Sequence, residues 1–554
     1  MIKIGDLLIK ENLINEKQLN MALKINKKEK ILLGELLIKL GFVSEKEIVK
    51  ILARQLKVEY IELNSIEQFD LEVLKLVDRE FCLENNLIPL KINENNELEI
   101  VIDNTENSIT INKIRKRLNN IKTKLKLSEK SSIRNYIMEL YDLEIEKKIE
   151  KEFEELSRQE EPNMDSLMKN LLNNGIKKSS TDIHLVPEEN YVNVYFRIEG
   201  ILTYFNSLDK KVVEKLSSKI KVSADIQDHL NLKVSHDGSF SHSFLKEEFE
   251  IRFSSIPSDN GENIVLRILP KKIQSNMFNL KDLGLEEDLE KKIKEYTQKP
   301  YGIILVSGPT GSGKTTTLYT MLKNINYLER KVITIEDPIE YKFDYITQTQ
   351  VNLKAGYTFE NAIRSFLRQD PDVMLVGEIR DEKTASLAVH SAQTGHLILS
   401  TIHANDAVSV LPRLKDLNID IFSIQSALLG VISQRLVRKV CNHCKIEKKL
   451  TKEEMVSKYN LTPEERIELK EEEYTIYEKG EGCSKCNDGY SGRTIVMEFL
   501  EMTSEMKNII SEEQNIEMIK QIAKTGGMKT MKQNALLKVL KGETTFEEIK
   551  RVIL

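Results

Sequence analysis

Eight consecutive residues, Gly308-Pro309-Thr310-Gly311-Ser312-Gly313-Lys314-Thr315, carry the clearest chemistry in the chain. They meet the full GxxxxGK[ST] pattern, follow the apolar run Gly302 to Ser307 and precede the helix-compatible run Thr316 to Leu322. Glycines let a backbone wrap closely around phosphates, and successive amides at a helix N-terminus supply partial positive charge. Lys314 is then placed to reach the β and γ phosphates and Thr315 to ligate magnesium, so the spacing predicts binding of ATP with Mg2+ at this loop and at Thr316 behind it.

Further strand-like runs follow: Val332 to Ile335, Val373 to Val376 and Leu397 to Ser400, separated by helical stretches. Alternating strands and helices predict a mainly parallel sheet with helices on both faces, whose strands all end at one edge. The residues at those ends are Glu336, Asp337 and Glu340, then Gly377-Glu378, then His403. Carboxylates there hold magnesium through water and orient or deprotonate an attacking water; Glu378, directly after an apolar strand, is the expected base. His403 is expected to sense the γ phosphate, whereas His396, which opens its strand, fits a structural role equally well. Cys441-Asn442-His443-Cys444 and Cys483-Ser484-Lys485-Cys486 form a CxxC…CxxC set able to present four thiolates tetrahedrally to zinc, a closed site with a structural or docking role. The charged segment between the pairs is expected to form a helical excursion.

These sites need scaffolds. A chain of 554 residues exceeds one hydrophobic core, and its 40% apolar and 31% charged content describes folded domains with many solvated helical faces. The expected organisation is α/β and multidomain: an N-terminal module over 1–143, a charged linker over 144–165, a mixed α/β domain over 166–275, a RecA-like P-loop core over 276–437, a four-cysteine subdomain over 438–497 and a C-terminal helical region over 498–554. An internal repeat opens the first module, Ile4 to Leu19 being echoed by Leu33 to Ile48, each copy a pair of helices with Asn15 or Ser44 as cap. A net charge of −5 gives no global field for nucleic acid; the basic stretch Lys113 to Lys126 reads as a solvated helix face followed by a short strand. Without a long apolar run or an apolar leader, the chain is expected in the cytoplasm, meeting membrane only through partners.

Several motifs in fixed order resemble the secretion ATPase superfamily, specifically the assembly motors of type II secretion and type IV pili. Ser180-Thr181-Asp182-Ile183-His184 resembles the start of that family's second N-terminal domain, Val332 to Glu340 its aspartate box, Arg368 to Asp381 its Walker B region and Thr394 to Asp406 its histidine box. The resemblance implies a homo-hexamer with ATP between neighbours, an inner-membrane platform protein as partner, and arginines acting in trans. Arg252 and Arg267 match one family pair, and Arg364 and Arg368 another. It also assigns the four cysteines to the metal module that separates assembly motors from retraction motors. Two departures stand out. His229 to Ser239 replaces an arginine-rich stretch ending in PQDGR. In the N-terminal repeat, which resembles a cyclic-di-GMP-binding module, Lys3 and Leu32 stand where relatives carry arginine; neither reproduces guanidinium contacts, so docking to the platform is favoured over the dinucleotide. A nucleic-acid-translocating ATPase with a zinc ribbon is the alternative that the P-loop and cysteine pairs alone permit; the acidic balance and the absence of a basic, aromatic face count against it.

Overall fold

The computed structural model describes the chain apart from residues 1–2, 30, 64–68, 75–76, 104–121, 246, 272–279, 328, 484, 513–514 and 554. Most of the basic stretch, residues 113–121, therefore lies outside the described residues, as does the expected domain junction near 275. The chain divides into two compact units, residues 1–197 with 202–276, and residues 277–554 with 198–201.

In the first unit the repeat folds as four helices, Ile4–Lys10, Glu16–Glu29, Leu33–Lys39 and Glu45–Leu56. Both caps form: Asn15 and Gln18 exchange hydrogen bonds of 2.8 and 2.9 Å, and Ser44 and Glu47 close a capping box. Leu8, Ala22, Leu36, Leu37 and Ile48 share one core, and Gly5 lets its helix lie against Leu19, where a Cβ would come within 2.7 Å. A four-stranded sheet follows, with Thr123–Leu127 as one strand. Of the segment expected as a linker, a short non-helical stretch over 158–163 leads into the helix that starts at Met164, whereas residues 144–157 belong to one long helix, Lys130–Ser157. Its sparse apolar residues explain why: Ile149 and Phe153 are buried, with Phe153 against Phe205 at 5.1 Å between ring centroids. A six-stranded sheet built from Ser180–Pro187, Tyr191–Ile198, Ile201–Asp209, His236–Phe244, Glu247–Ser258 and Gly261–Pro270, with helices Met164–Lys177 and Lys210–Ser223, completes the unit.

The second unit holds a seven-stranded sheet in the spatial order Thr347–Gln350, Val332–Glu336, Val373–Val376, Leu397–Ile402, Gly302–Ser307, Leu428–Val440, Tyr490–Glu501. Every neighbouring pair is parallel except the last. The central strands are buried along their length, as strands covered by helices on both faces must be. Three of the seven strands, Thr347–Gln350, Leu428–Val440 and Tyr490–Glu501, were not among the apolar runs read from the sequence. The excursion between the cysteine pairs is mixed rather than helical. Ile446–Thr451 pairs antiparallel with Glu473–Glu478, flanking helices Lys452–Tyr459 and Pro463–Arg466. Its apolar residues Met455, Leu461, Tyr474 and Ile476 pack with Leu536 and Val539 of the C-terminal helix Met531–Leu540, a tertiary contact that overrides the segment's charged composition.

Candidate functional site

Register aligns the strand ends. Ser307 stands opposite Ile402, Val376 opposite Ser400, and Ile335 opposite Val376, so Gly308, His403, Gly377-Glu378 and Glu336-Asp337 emerge along one edge. The phosphate loop turns through Gly308, Gly311 and Gly313, all at positive φ, into helix Lys314–Lys323. Gly308 is irreplaceable for a second reason: a Cβ there would lie 2.6 Å from the Gln434 carbonyl oxygen and 2.7 Å from Ser312 Oγ. Lys314 Nζ donates across the loop to the carbonyls of Gly308 (2.9 Å) and Pro309 (3.0 Å). Thr315 is half-buried and Thr316 exposed beside it, with Pro309, Thr310 and Gly311 exposed on the loop and Ser312 buried beneath it.

Glu378 sits on a pinned turn. Gly377 N donates to Ile335 O, Ile379 N to Thr401 O, and Thr401 Oγ1 to Gly377 O, so both neighbouring strands hold it. Its side chain keeps 15% exposure and pairs with Arg380 Nε at 2.6 Å. Burial holds the Lys314 ammonium below its ordinary value; the Glu378 carboxylate works against that and Arg435 adds to it. Burial likewise lowers His403, and Lys314 lowers it further; Glu378 opposes the shift while Arg380 and Arg413 reinforce it, which leaves a neutral imidazole at neutral pH. His403 lines a pocket of 370 Å³ with Gly308, Pro309, Asn405 and Arg413. Lys314, Glu378 and His403 thus form one electrostatic cluster.

Other expected residues are placed differently. Glu336 is buried and turned inward, accepting hydrogen bonds from Tyr319, from Thr334 at 2.6 Å and from Gln348 at 3.1 Å, while Asp337 is exposed at the same strand end. His396 Nδ1 lies 2.9 Å from Ser391 O, a local structural contact. Arg364 is 57% exposed on helix Phe359–Phe366, paired with Glu360 at 3.1 Å; Arg368 lies just past that helix and donates to Arg364 O at 3.0 Å. Within the first unit Arg252 and Arg267 are cross-strand partners on adjacent antiparallel strands, with Arg267 Nε 2.9 Å from Asp182.

Sequence reasoning missed Gln434. Fully buried on the strand beside the P-loop, it donates from Nε2 to Ser312 O (2.7 Å) and accepts from Thr317 Oγ1 (2.9 Å), bracing the loop from behind. Local sequence carries no signal for this, because the contact depends on strand register.

At the far end of that strand the four cysteines meet, all sulfurs within 4.8 Å of one another. Cys441 to Cys483 is 3.8 Å, Cys444 to Cys486 3.7 Å and Cys483 to Cys486 3.6 Å. Four sulfurs around one ion at a Zn–S distance of about 2.3 Å stand about 3.8 Å apart, so the set fits a tetrahedral metal. Burial and the hydrogen bonds shared with Cys486 and Cys441 push Cys444 up to about 12, a crowding that a divalent cation relieves. Gly480 makes the knuckles possible: a Cβ there would meet Cys444 O at 1.9 Å.

A phosphate loop feeding a helix at the edge of a mostly parallel sheet, with a carboxylate and a histidine on neighbouring strands, defines the class of P-loop ATPases. Within that class, residues 157–551 match the family described as Type II/IV secretion system protein, and the chain belongs to that family. Residues 56–147 match the MshEN domain, which begins where the helical repeat ends. The type IV pilus assembly ATPase PilB of Thermus thermophilus is 35% identical over 491 residues, covering 86% of this chain but only 54% of its own length. Type II secretion system protein E of Pseudomonas aeruginosa is 40% identical over 387 residues, 70% of this chain and 74% of that protein. The X-ray structure of the Legionella pneumophila ATPase DotB covers 72% of this chain and 97% of its own at TM-score 0.52 and 19% identity, a likeness of fold. Among the described residues no helix is long and apolar enough to cross a membrane.

Proposed function

We propose that the chain is a magnesium-dependent ATP hydrolase working as a ring of six, whose closures drive an inner-membrane platform protein to add pilin-like subunits to a pilus or secretion pseudopilus. The observation that carries this reading is the convergence of Lys314, Glu378 and His403 on one sheet edge, in a chain whose relatives are pilus-assembly and type II secretion ATPases.

Glu378 takes the proton of the attacking water: it is partly shielded, fixed by its turn and paired with Arg380. Lys314 neutralises phosphate charge, and the neutral His403 reports the terminal phosphate. Thr315, with Asp337 acting through water, would hold magnesium, which supplies charge neutralisation on the phosphates when bound. Arg252 and Arg267 stand directly opposite each other, Arg267 paired with Asp182 at 2.9 Å and Arg252 with Glu250 at 3.6 Å, and place two guanidinium groups on one face of the sheet. Together with the exposed Arg364 and Arg368 they are suited to complete a neighbour's site. The cysteine set takes one zinc as a structural clasp, and the N-terminal module docks to the platform in preference to binding cyclic-di-GMP.

A mixing experiment tests the ring. Glu378→Gln subunits and Arg252→Ala/Arg267→Ala subunits are each expected to be inactive, but an equal mixture re-forms complete sites at about a quarter of interfaces and recovers ATPase activity in proportion. A mixture as inactive as its components removes the trans assignment.

A further inference from the structure

Arg435 has no role in the account above, yet its guanidinium stands where three parts of the site meet. Its strand runs parallel beside the P-loop strand with Ser433 opposite Ser307, so residues 434 and 435 reach the edge where Gly308 begins the loop. Successive residues on a strand face opposite sides, and the two divide the work. Gln434 braces Ser312 and Thr317 from within the fold. Arg435, half-buried on the other side, donates from Nη1 to Gln434 O at 3.0 Å and from Nη2 to Asn405 O at 2.7 Å. Asn405 lies two residues past His403 and lines the same pocket. The Gln434 carbonyl that Arg435 holds is also the atom nearest to where a Cβ on Gly308 would be.

Arg435 is also a charge. Its field reaches Lys314, and its own surroundings include the carboxylates of Glu498 and Asp406. Glu498 is tied up by the amides of Ala407 and Met531, at 2.7 and 2.9 Å, and Asp406 by Lys520 at 2.9 Å. Neither carboxylate is therefore committed to Arg435, whose charge remains available to the phosphate side. A guanidinium stays protonated and offers a planar fork that an ammonium does not.

We infer that Arg435 is a positioning residue acting in cis: its fork ties the loop after His403 to the strand end behind the phosphate loop, so that His403 is held against the terminal phosphate. The inference rests on His403 as the sensor of that phosphate. It makes a specific demand, because ADP has no terminal phosphate for His403 to read. Loss of the fork must weaken triphosphate binding and turnover while sparing ADP.

The test measures the affinities of ADP and of a non-hydrolysable ATP analogue, with kcat and KM, in full-length wild type, Arg435→Met, Arg435→Lys and His403→Ala, each checked by thermal unfolding. Arg435→Met is expected to bind ADP nearly as wild type does, bind the analogue about tenfold more weakly and lose about a hundredfold in kcat. Arg435→Lys, keeping charge without the fork, is expected to regain little of either the analogue affinity or kcat. His403→Ala must lose the same triphosphate preference. If it keeps that preference, the sensor reading fails. If His403→Ala loses the preference and Arg435→Met retains it, the role of Arg435 is overturned and that of His403 stands. Equal weakening of ADP and analogue in Arg435→Met, or full rescue of kcat by lysine, likewise overturns the inference.

Discussion

Replacing Glu548 with glutamine tests how the strand that joins the phosphate site to the cysteine cluster is held. Glu548 is fully buried and accepts from the Arg438 backbone at 3.0 Å, from Arg438 Nε and Nη2 at 3.0 and 2.7 Å, and from Arg551 Nε and Nη2 at 2.9 and 2.6 Å. The Arg438 guanidinium also stacks 3.9 Å over the Tyr490 ring. Glutamine keeps the shape but strips two guanidinium groups of their counter-charge, and breaking a buried pair this way costs about 3–5 kcal/mol. A second route gives a similar figure. Although burial raises it, hydrogen bonds from Arg551 and Arg438 hold the Glu548 carboxyl at about 2 against an ordinary 4.5. That gap corresponds to roughly 3 kcal/mol at about 1.4 kcal/mol per pH unit. Since the folded value is the depressed one, this stabilisation is complete above the unfolded value and lost as pH falls from 4.5 toward 2. By calorimetry, Glu548→Gln should lower the transition of the ATPase unit by about 10 °C at neutral pH, and the gap to wild type should shrink by more than half near pH ~3. A gap equivalent to under about 1 kcal/mol, or one that does not change with pH, refutes the reasoning.

Two further outcomes follow from the same strand. Purified protein should carry about one zinc per chain, and Cys444→Ser or chelation should remove it and lower the melting temperature while leaving ADP affinity unchanged, because the cluster begins past the strand's last residue, Val440, whereas Gln434 braces the loop from the strand's middle. Atomic absorption with parallel nucleotide titration reads both effects. Gln434→Leu leaves the Ser312 carbonyl without its donor and Thr317 without its acceptor, for a cost of about 2–4 kcal/mol, seen as a weaker thermal stabilisation by ADP.

Much of the architecture was legible because it is written in local pattern. The P-loop and the four apolar strands announce themselves through buried, helix-covered runs, and the caps Asn15 and Ser44 through residue type and spacing. Strand Leu428–Val440 was missed because Ser433, Gln434 and Arg435 interrupt its apolar run with polar residues that belong to the site. Tyr490–Glu501 was missed because the cysteine excursion separates it in sequence from its antiparallel partner. The hairpin within that excursion was hidden by charge: Glu447 pairs across from Tyr477 and Lys448 from Ile476, and only the packing of Met455 and Ile476 on Leu536 selects it. At the site, type and position pointed to Lys314, Glu378 and His403, which the strand register brings to one edge of the sheet. Glu336 shows the limit of such reading, since a carboxylate at a strand end turned inward once Tyr319, Thr334 and Gln348 were there to satisfy it.

The central claim is that this edge hydrolyses ATP with Glu378 as base. The direct measurement is nucleotide affinity and steady-state turnover of Glu378→Gln side by side. The expected result is ATP bound about as tightly as by wild type, with turnover reduced by about a hundredfold or more. Turnover within a few-fold of wild type, with binding intact, contradicts the account.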